Sequence, residues 1–260
     1  MPRVKVNGVN IFYEITGEGP ALALLHGWTG NHKLWKEQVP VFSKNYTVIM
    51  VDHRGHGESD KPRTGYSIQV FADDLHRVLD KLGISKTFIV GHSMGGMIAQ
   101  KFYLSYPDKV RALILADTTS HGTGGTISFE EAGVLVQTLG FQSAVEQFFA
   151  ETFFAEGTSE EIINWAKSEV LKTPQYVVEE GAKAMSQFDT TDRLSEIEVP
   201  TLIIHGDQDL AISVEKAKTL HEKIPNSKLK IIRGSGHFIL LEKPDEFNKI
   251  VLEFLSKLES

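Results

Sequence analysis

The chain has 260 residues, 41% of them hydrophobic and 23% charged, which suits one large globular domain or one carrying an inserted subdomain and excludes disordered and fibrous architectures. The formal net charge is −7, and lysines and arginines are interleaved with acids instead of forming a basic run, so no nucleic-acid partner is expected. There is no cysteine, which excludes disulfides, thiolate catalysis and Cys-ligated zinc or iron–sulfur sites.

The first predicted element is a hairpin. Val4 and Val6 alternate with polar neighbours, Asn7-Gly8 is a turn dipeptide, and Val9, Ile11 and Tyr13 resume the alternation. Ala21–Leu25 is then an all-apolar run of the kind a strand buried on both faces requires. Tyr46–Val51, Thr87–Val90, Ala112–Ala116, Thr201–Ile204 and Leu229–Ile232 read the same way. Helices fall between them. Over residues 67–82, Ile68, Phe71, Leu75, Val78, Leu79 and Leu82 recur at helical spacing, and Gly83 stops the run. A helix over 94–105 ends at Tyr106-Pro107. A last helix opens at Pro244 and carries Phe247, Ile250, Val251, Phe254, Leu255 and Leu258 on one stripe. This alternation predicts an α/β fold, a mostly parallel central sheet with helices on both faces and the opening hairpin at one edge.

Residues 119–198 break the rhythm. Val145, Phe148, Phe149 and Phe153 repeat at helical spacing, Ser159 followed by Glu160 and Glu161 marks a helix start, and 175–188 suit another helix. The expected division is a core of residues 1–118 and 199–260 with an inserted helical cap over 119–198. Its aromatic residues (Phe129, Phe141, Phe148, Phe149, Phe153, Phe154, Trp165 and Phe188) can line an apolar pocket or fasten the cap helices to the body, and the pattern allows both. No apolar run reaches the ~20 residues of a membrane-spanning helix, and the first residues lack the apolar core of a signal peptide. A cytoplasmic protein without a membrane partner is therefore expected.

Gly91-His92-Ser93-Met94-Gly95 matches G-x-S-x-G between an apolar strand and a helix. A serine on so sharp a turn projects its hydroxyl from the sheet, and the Met94 N–H behind it, at a helix N-terminus, can hold an oxyanion. A serine needs a base to become a nucleophile. His237, in the glycine-rich Gly234-Ser235-Gly236-His237 loop after a strand, is the candidate. The base needs an orienting acid. Asp209, just after the Thr201–Ile204 strand, is favoured, with Asp117 the more serious rival and Asp207 assigned to the turn. The Trp28 N–H, after Leu24-Leu25-His26-Gly27, is the second oxyanion donor, and His26 is read as holding that loop.

The motifs His26-Gly27-Trp28, Asp52-His53-Arg54-Gly55-His56-Gly57-Glu58-Ser59, Gly91-His92-Ser93-Met94-Gly95-Gly96, Gly206-Asp207-Gln208-Asp209 and Gly236-His237 occur in this order over essentially the whole chain. In them the chain resembles the α/β-hydrolase superfamily, and within it the serine esterases, the 3-oxoadipate enol-lactonases and the cofactor-free haloperoxidase-like group. The resemblance implies the catalytic order Ser93, Asp209, His237 and a structural loop at 52–59. It also implies a cap that shapes substrate choice. Relatives that hydrolyse haloalkanes or epoxides use an aspartate where Ser93 stands, so neither activity is expected. The expected function is hydrolysis of small to medium, rather apolar carboxylic esters, with no cofactor and no metal. Lactone hydrolysis, C–C bond hydrolysis and perhydrolysis on the same triad are alternatives, and a non-catalytic ligand receptor is a more distant one. The only expected partner is the small-molecule ester; monomer and homodimer are both open.

Overall fold

The computed structural model describes residues 2–122 and 128–258. Its strands are β1 (Arg3–Val6), β2 (Val9–Thr16), β3 (Ala21–Leu25), β4 (Thr47–Val51), β5 (Thr87–His92), β6 (Val110–Ala116), β7 (Thr201–Gly206) and β8 (Ser227–Ile232). Its α-helices are α1 (Val39–Phe42), α2 (Ile68–Lys81), α3 (Met94–Ser105), α4 (Phe129–Leu139), α5 (Phe141–Phe153), α6 (Glu160–Val170), α7 (Gln175–Ser186), α8 (Val214–Lys223), α9 (Ile239–Glu242) and α10 (Pro244–Leu255).

The strands form one sheet in the order β1-β2-β4-β3-β5-β6-β7-β8. The β1–β2 and β2–β4 pairings are antiparallel, and every pairing from β4 to β8 is parallel. Asn7 and Gly8 take the left-handed φ values of 45° and 81° that a two-residue hairpin turn demands.

Alternate residues along each strand feed different layers. Ala23, Leu25, Ile49, Val51, Ile89, Leu113 and Leu115 pack with α2, α3 and α8, while Leu22, Leu24, Val48, Met50, Val90, Ile114 and Ile204 pack with α1, α10 and part of the cap. Burial on both faces explains the continuous apolar runs. It fails at β8, where Lys228, Lys230 and Ile231 are exposed and Ile232 alone is buried. That strand pairs only with β7, and its lysines suit an edge that has no further strand beside it.

Between β6 and β7 the described chain is helical, α4 to α7, apart from an isolated bridge between His121 and Asp189. Residues 123–127 of the expected cap lie outside the described residues. Ser159 caps α6 by accepting the Ile162 N–H, as expected from its acidic first turn. Helix α4 is an element the apolar spacing did not announce. It starts with a capping box, in which Ser128 Oγ accepts the Glu131 N–H and Glu131 reaches back to the Ser128 N–H. Among the described residues no helix is long and apolar enough to cross a membrane.

Candidate active site

Ser93 joins the last residue of β5 to the first of α3 with φ 55° and ψ −120°, a conformation that few residues other than glycine adopt. The turn is held from the neighbouring strand. The Ser93 N–H donates to Ala116 O at 2.9 Å, and Thr118 Oγ1 donates to Ser93 O at 2.7 Å. The glycines around it are demanded by close approach. A Cβ on Gly91 would sit 2.3 Å from Gly95 O, and one on Gly95 would sit 2.1 Å from Leu25 O. Met94 directly follows Ser93 at the start of α3, where first-turn N–H groups have no intrahelical acceptor.

His237 and Asp209 are brought together from two loops at the same sheet edge. The His237 Nδ1–H donates to Asp209 Oδ2 at 2.7 Å, and Asp209 Oδ1 accepts the Ala211 and Ile212 N–H groups, each at 2.9 Å. The carboxylate is thus anchored on one oxygen and presents the other to the imidazole. The His237 N–H donates to Phe153 O at the end of α5. Asp207 does something else, accepting the Gly234 N–H at 2.7 Å and so tying the two loops. Asp117 is not in contact with His237. It accepts the Gly206 N–H on Oδ1 at 2.9 Å, and its buried Oδ2 lies 3.9 Å from His92 Nε2. Burial, reinforced by the negative charge of Asp209, pushes the Asp117 carboxyl well above its ordinary range.

The loop after β3 runs beside the serine. A Cβ on Gly27 would approach Ser93 Cβ to 3.0 Å, and Trp28 comes next in the chain. His26 fixes the start of this loop. Its Nδ1–H donates to Gly27 O and its Nε2 accepts the His53 N–H. One nitrogen donates and the other accepts, so the ring is neutral. Burial, helped by His53 and His56, keeps it far below its ordinary pKa. Burial pushes His53 to about 3 and His56 to about 4. Asp52 accepts the backbone N–H groups of His32 and Glu58, which gives the 52–59 segment the structural part expected of it.

Three contributors had no signal in the sequence. The His92 Nε2–H donates to His237 O at 2.7 Å, and burial, followed by the nearby His237, pushes His92 to about 3. Glu242 accepts the Gly236 N–H on one oxygen and the Ala155 N–H on the other, joining the histidine loop to the cap. Phe153 O supports the base. All three partnerships span distant parts of the chain, so no local pattern could reveal them.

Ser93 and His237 open on one cavity of about 130 Å³. Gly27, Trp28 and Thr29 line it from the body, and Phe129, Val136, Phe141, Phe148, Phe149 and Phe153 from the cap. Among the described residues no Asp, Glu, Lys or Arg lines it. The cap aromatics therefore divide between the two readings. Phe154 stacks on Phe238 with centroids 5.0 Å apart, Trp165 packs against the body under Lys36, and Phe188 joins the core, none of them in the cavity wall.

Among the described residues, Asp117, His205 and Asp209 are the one group whose ligand atoms lie within 4.8 Å of one another, close enough for a metal ion. All three already have partners, Asp117 taking the Gly206 N–H. The His205 Nε2–H donates to Ile212 O at 2.8 Å, and Asp209 is bound to His237. An ion taking Asp209 Oδ2 would compete with the Asp209–His237 hydrogen bond.

Residues 20–244 match the family described as alpha/beta hydrolase fold. A putative non-heme chloroperoxidase from Synechocystis sp. is 32% identical over 266 residues, covering 95% of each chain. Among solved structures, Est816, described as an N-acyl homoserine lactone degrading enzyme, is 34% identical and covers 97% of this chain and 100% of its own, with a TM-score of 0.86. An esterase from Exiguobacterium antarcticum is 30% identical over 98% of this chain and 97% of its own, with a TM-score of 0.90.

Proposed function

The chain belongs to the α/β-hydrolase family, and on that premise we propose that it hydrolyses neutral carboxylic esters with apolar acyl groups of short to medium length. The observation that carries this reading is that Ser93 and the Asp209-bound His237 open on one cavity whose described wall residues include no Asp, Glu, Lys or Arg.

In this mechanism His237 takes the Ser93 proton through Nε2, the ring nitrogen not engaged by Asp209. Ser93 Oγ attacks the ester carbonyl, and the Trp28 and Met94 N–H groups hold the oxyanion. The alcohol leaves with the proton from His237, and water repeats the sequence on the acyl-enzyme. Asp209 fixes the ring tautomer and stabilises the imidazolium. Each step uses groups of this chain alone.

A second reading shares the same chemistry, a neutral lactone carrying an apolar chain. It is favoured by the cavity wall, where no Lys or Arg among the described residues would pair with an anionic substrate, and by the likeness to Est816. The test is a p-nitrophenyl acyl series run beside N-acyl lactones and an anionic hemisuccinate ester. Turnover of uncharged esters is expected, lower by at least about 10⁴-fold in Ser93→Ala. The hemisuccinate should be poorer than the uncharged ester of equal length. Preference for the lactones would select the second reading, and no turnover of either class would sink both.

A further inference from the structure

The loop that carries Trp28 is not in a shape its own sequence prefers. Thr29 has φ 62°, a left-handed conformation that β-branched residues rarely take. A turn closed by the Gly30 N–H to Gly27 O, and Thr29 Oγ1 donating to Trp28 O, complete the local bonding. Asn31 also accepts the Lys33 and Leu34 N–H groups of the body, and three further bonds tie residues 28–31 to the cap. The Trp28 Nε1–H donates to Val178 O at 3.1 Å, Thr173 Oγ1 donates to Thr29 O at 3.0 Å, and Asn31 Nδ2 donates to Glu169 Oε2 at 3.1 Å. Glu169 and Thr173 are buried, so water does not readily replace them. The fit around Trp28 Nε1 is close, because a Cβ on Gly181 would lie 2.6 Å from it.

We infer that the corner between α6 and α7 is a three-point latch that holds the oxyanion loop in its working shape, with Glu169, Thr173 and Gly181 as positioning residues for the hydrolysis proposed above. This rests on that reading of the function. None of the three lines the cavity, so none touches substrate. The cap then does more than shape a pocket. When it lifts, the latch opens and the Trp28 N–H loses its aim, so the centre works only with the cap seated.

The latch is tested with Thr173→Val and Gly181→Ala, and with Thr173→Ser as the conservative rescue. Two rates are read, ester turnover and labelling of Ser93 by a fluorophosphonate. In the labelling the Ser93 Oγ–P bond forms, fluoride leaves, and the serine proton passes to His237. That reaction needs the oxyanion loop but no substrate pocket match. Thr173→Val and Gly181→Ala should each lower kcat and the labelling rate about tenfold, the scale expected of a small misplacement at a reacting centre. KM should change less than about twofold, and Thr173→Ser should restore both rates. Should Thr173→Val fail to fold, Gly181→Ala makes the same test at the Trp28 ring, by crowding its Nε1 edge. A wild type that reacts, with both variants reacting equally fast, overturns the latch alone. Raised KM with unchanged labelling overturns it as well. A wild type inert to esters, lactones and fluorophosphonate overturns the proposed function and the latch with it.

Discussion

The turns that follow β6 and β7 are built from similar parts and do different things. Each leaves a buried parallel strand, and each carries a buried aspartate. Asp117 follows its strand directly, with φ 44°, and its side chain is spent on the backbone of the neighbouring strand end at Gly206. Asp209 comes three positions after the end of β7, far enough for one oxygen to take two turn N–H groups while the other meets His237. The Asp209 carboxylate collects three donors, whereas Asp117 collects one on Oδ1, and burial, reinforced by the charge of Asp209, pushes its carboxyl well above the ordinary range. The comparison teaches that being an acid at a strand end is not enough. The number of donors that reach the carboxylate decides whether it can face an imidazolium.

The sharpest way to break this comparison is to neutralise each acid in turn. Asp209→Asn should lower kcat by about 10³–10⁴-fold, because the amide favours the wrong tautomer of the base. Asp117→Asn should leave kcat within about threefold, since the Asp117 side chain bonds the Gly206 N–H and not His237, and an amide oxygen can accept the same bond. Esterase assays on the two variants decide it. The reverse pattern would make Asp117 the acid.

The rivalry between these aspartates also marks where sequence reading stops. Parallel strands covered on both faces leave unbroken apolar runs, so β3, β5, β6 and β7 are legible, and so is the glycine-flanked turn at Ser93. The spacing of Asp117, Asp207 and Asp209 along the chain says nothing of where each side chain points, and only the hydrogen bonds separate the one that reaches His237 from the other two. β8 misleads because Leu229, Ile231 and Ile232 look like a core strand, while its place at the sheet edge is a property of topology. α4 is different, since its capping box at Ser128 and Glu131 is a local signal that apolar spacing passes over. His92 and Glu242 carry no signal at all, because each acts on a backbone group supplied by another segment.

A second measurement sharpens the comparison through stability. The folded-state pKa of Asp117 is raised, so the folded chain holds that proton more tightly than the unfolded chain. Such a group contributes stability that is fully present below its unfolded pKa of 3.8 and is lost as pH rises toward the folded value. Asparagine has no such loss. The advantage of Asp117→Asn over wild type in urea unfolding should therefore grow as pH rises from about 4, by up to about 1.4 kcal/mol per pH unit while the wild-type proton stays bound. A difference that is constant with pH would mean that Asp117 ionises normally, and the contrast with Asp209 would lose its electrostatic basis.

The smallest effect belongs to the third aspartate. Asp207 sits in the same turn as Asp209 but is exposed, and its side chain accepts the Gly234 N–H of the histidine loop. That loop has stronger holds elsewhere, with Glu242 on Gly236, Phe153 O on the His237 N–H, and His92 on His237 O. Asp207→Ala removes one exposed hydrogen bond and leaves Gly234 free to bond water, so Tm should fall by only about 2 °C and kcat by less than about threefold. The two readouts together locate the hold on the base. A kcat loss as deep as that of Asp209→Asn, with Tm almost unchanged, would mean that the tie between the two loops, and not the carboxylate on the imidazole, sets the aim of His237.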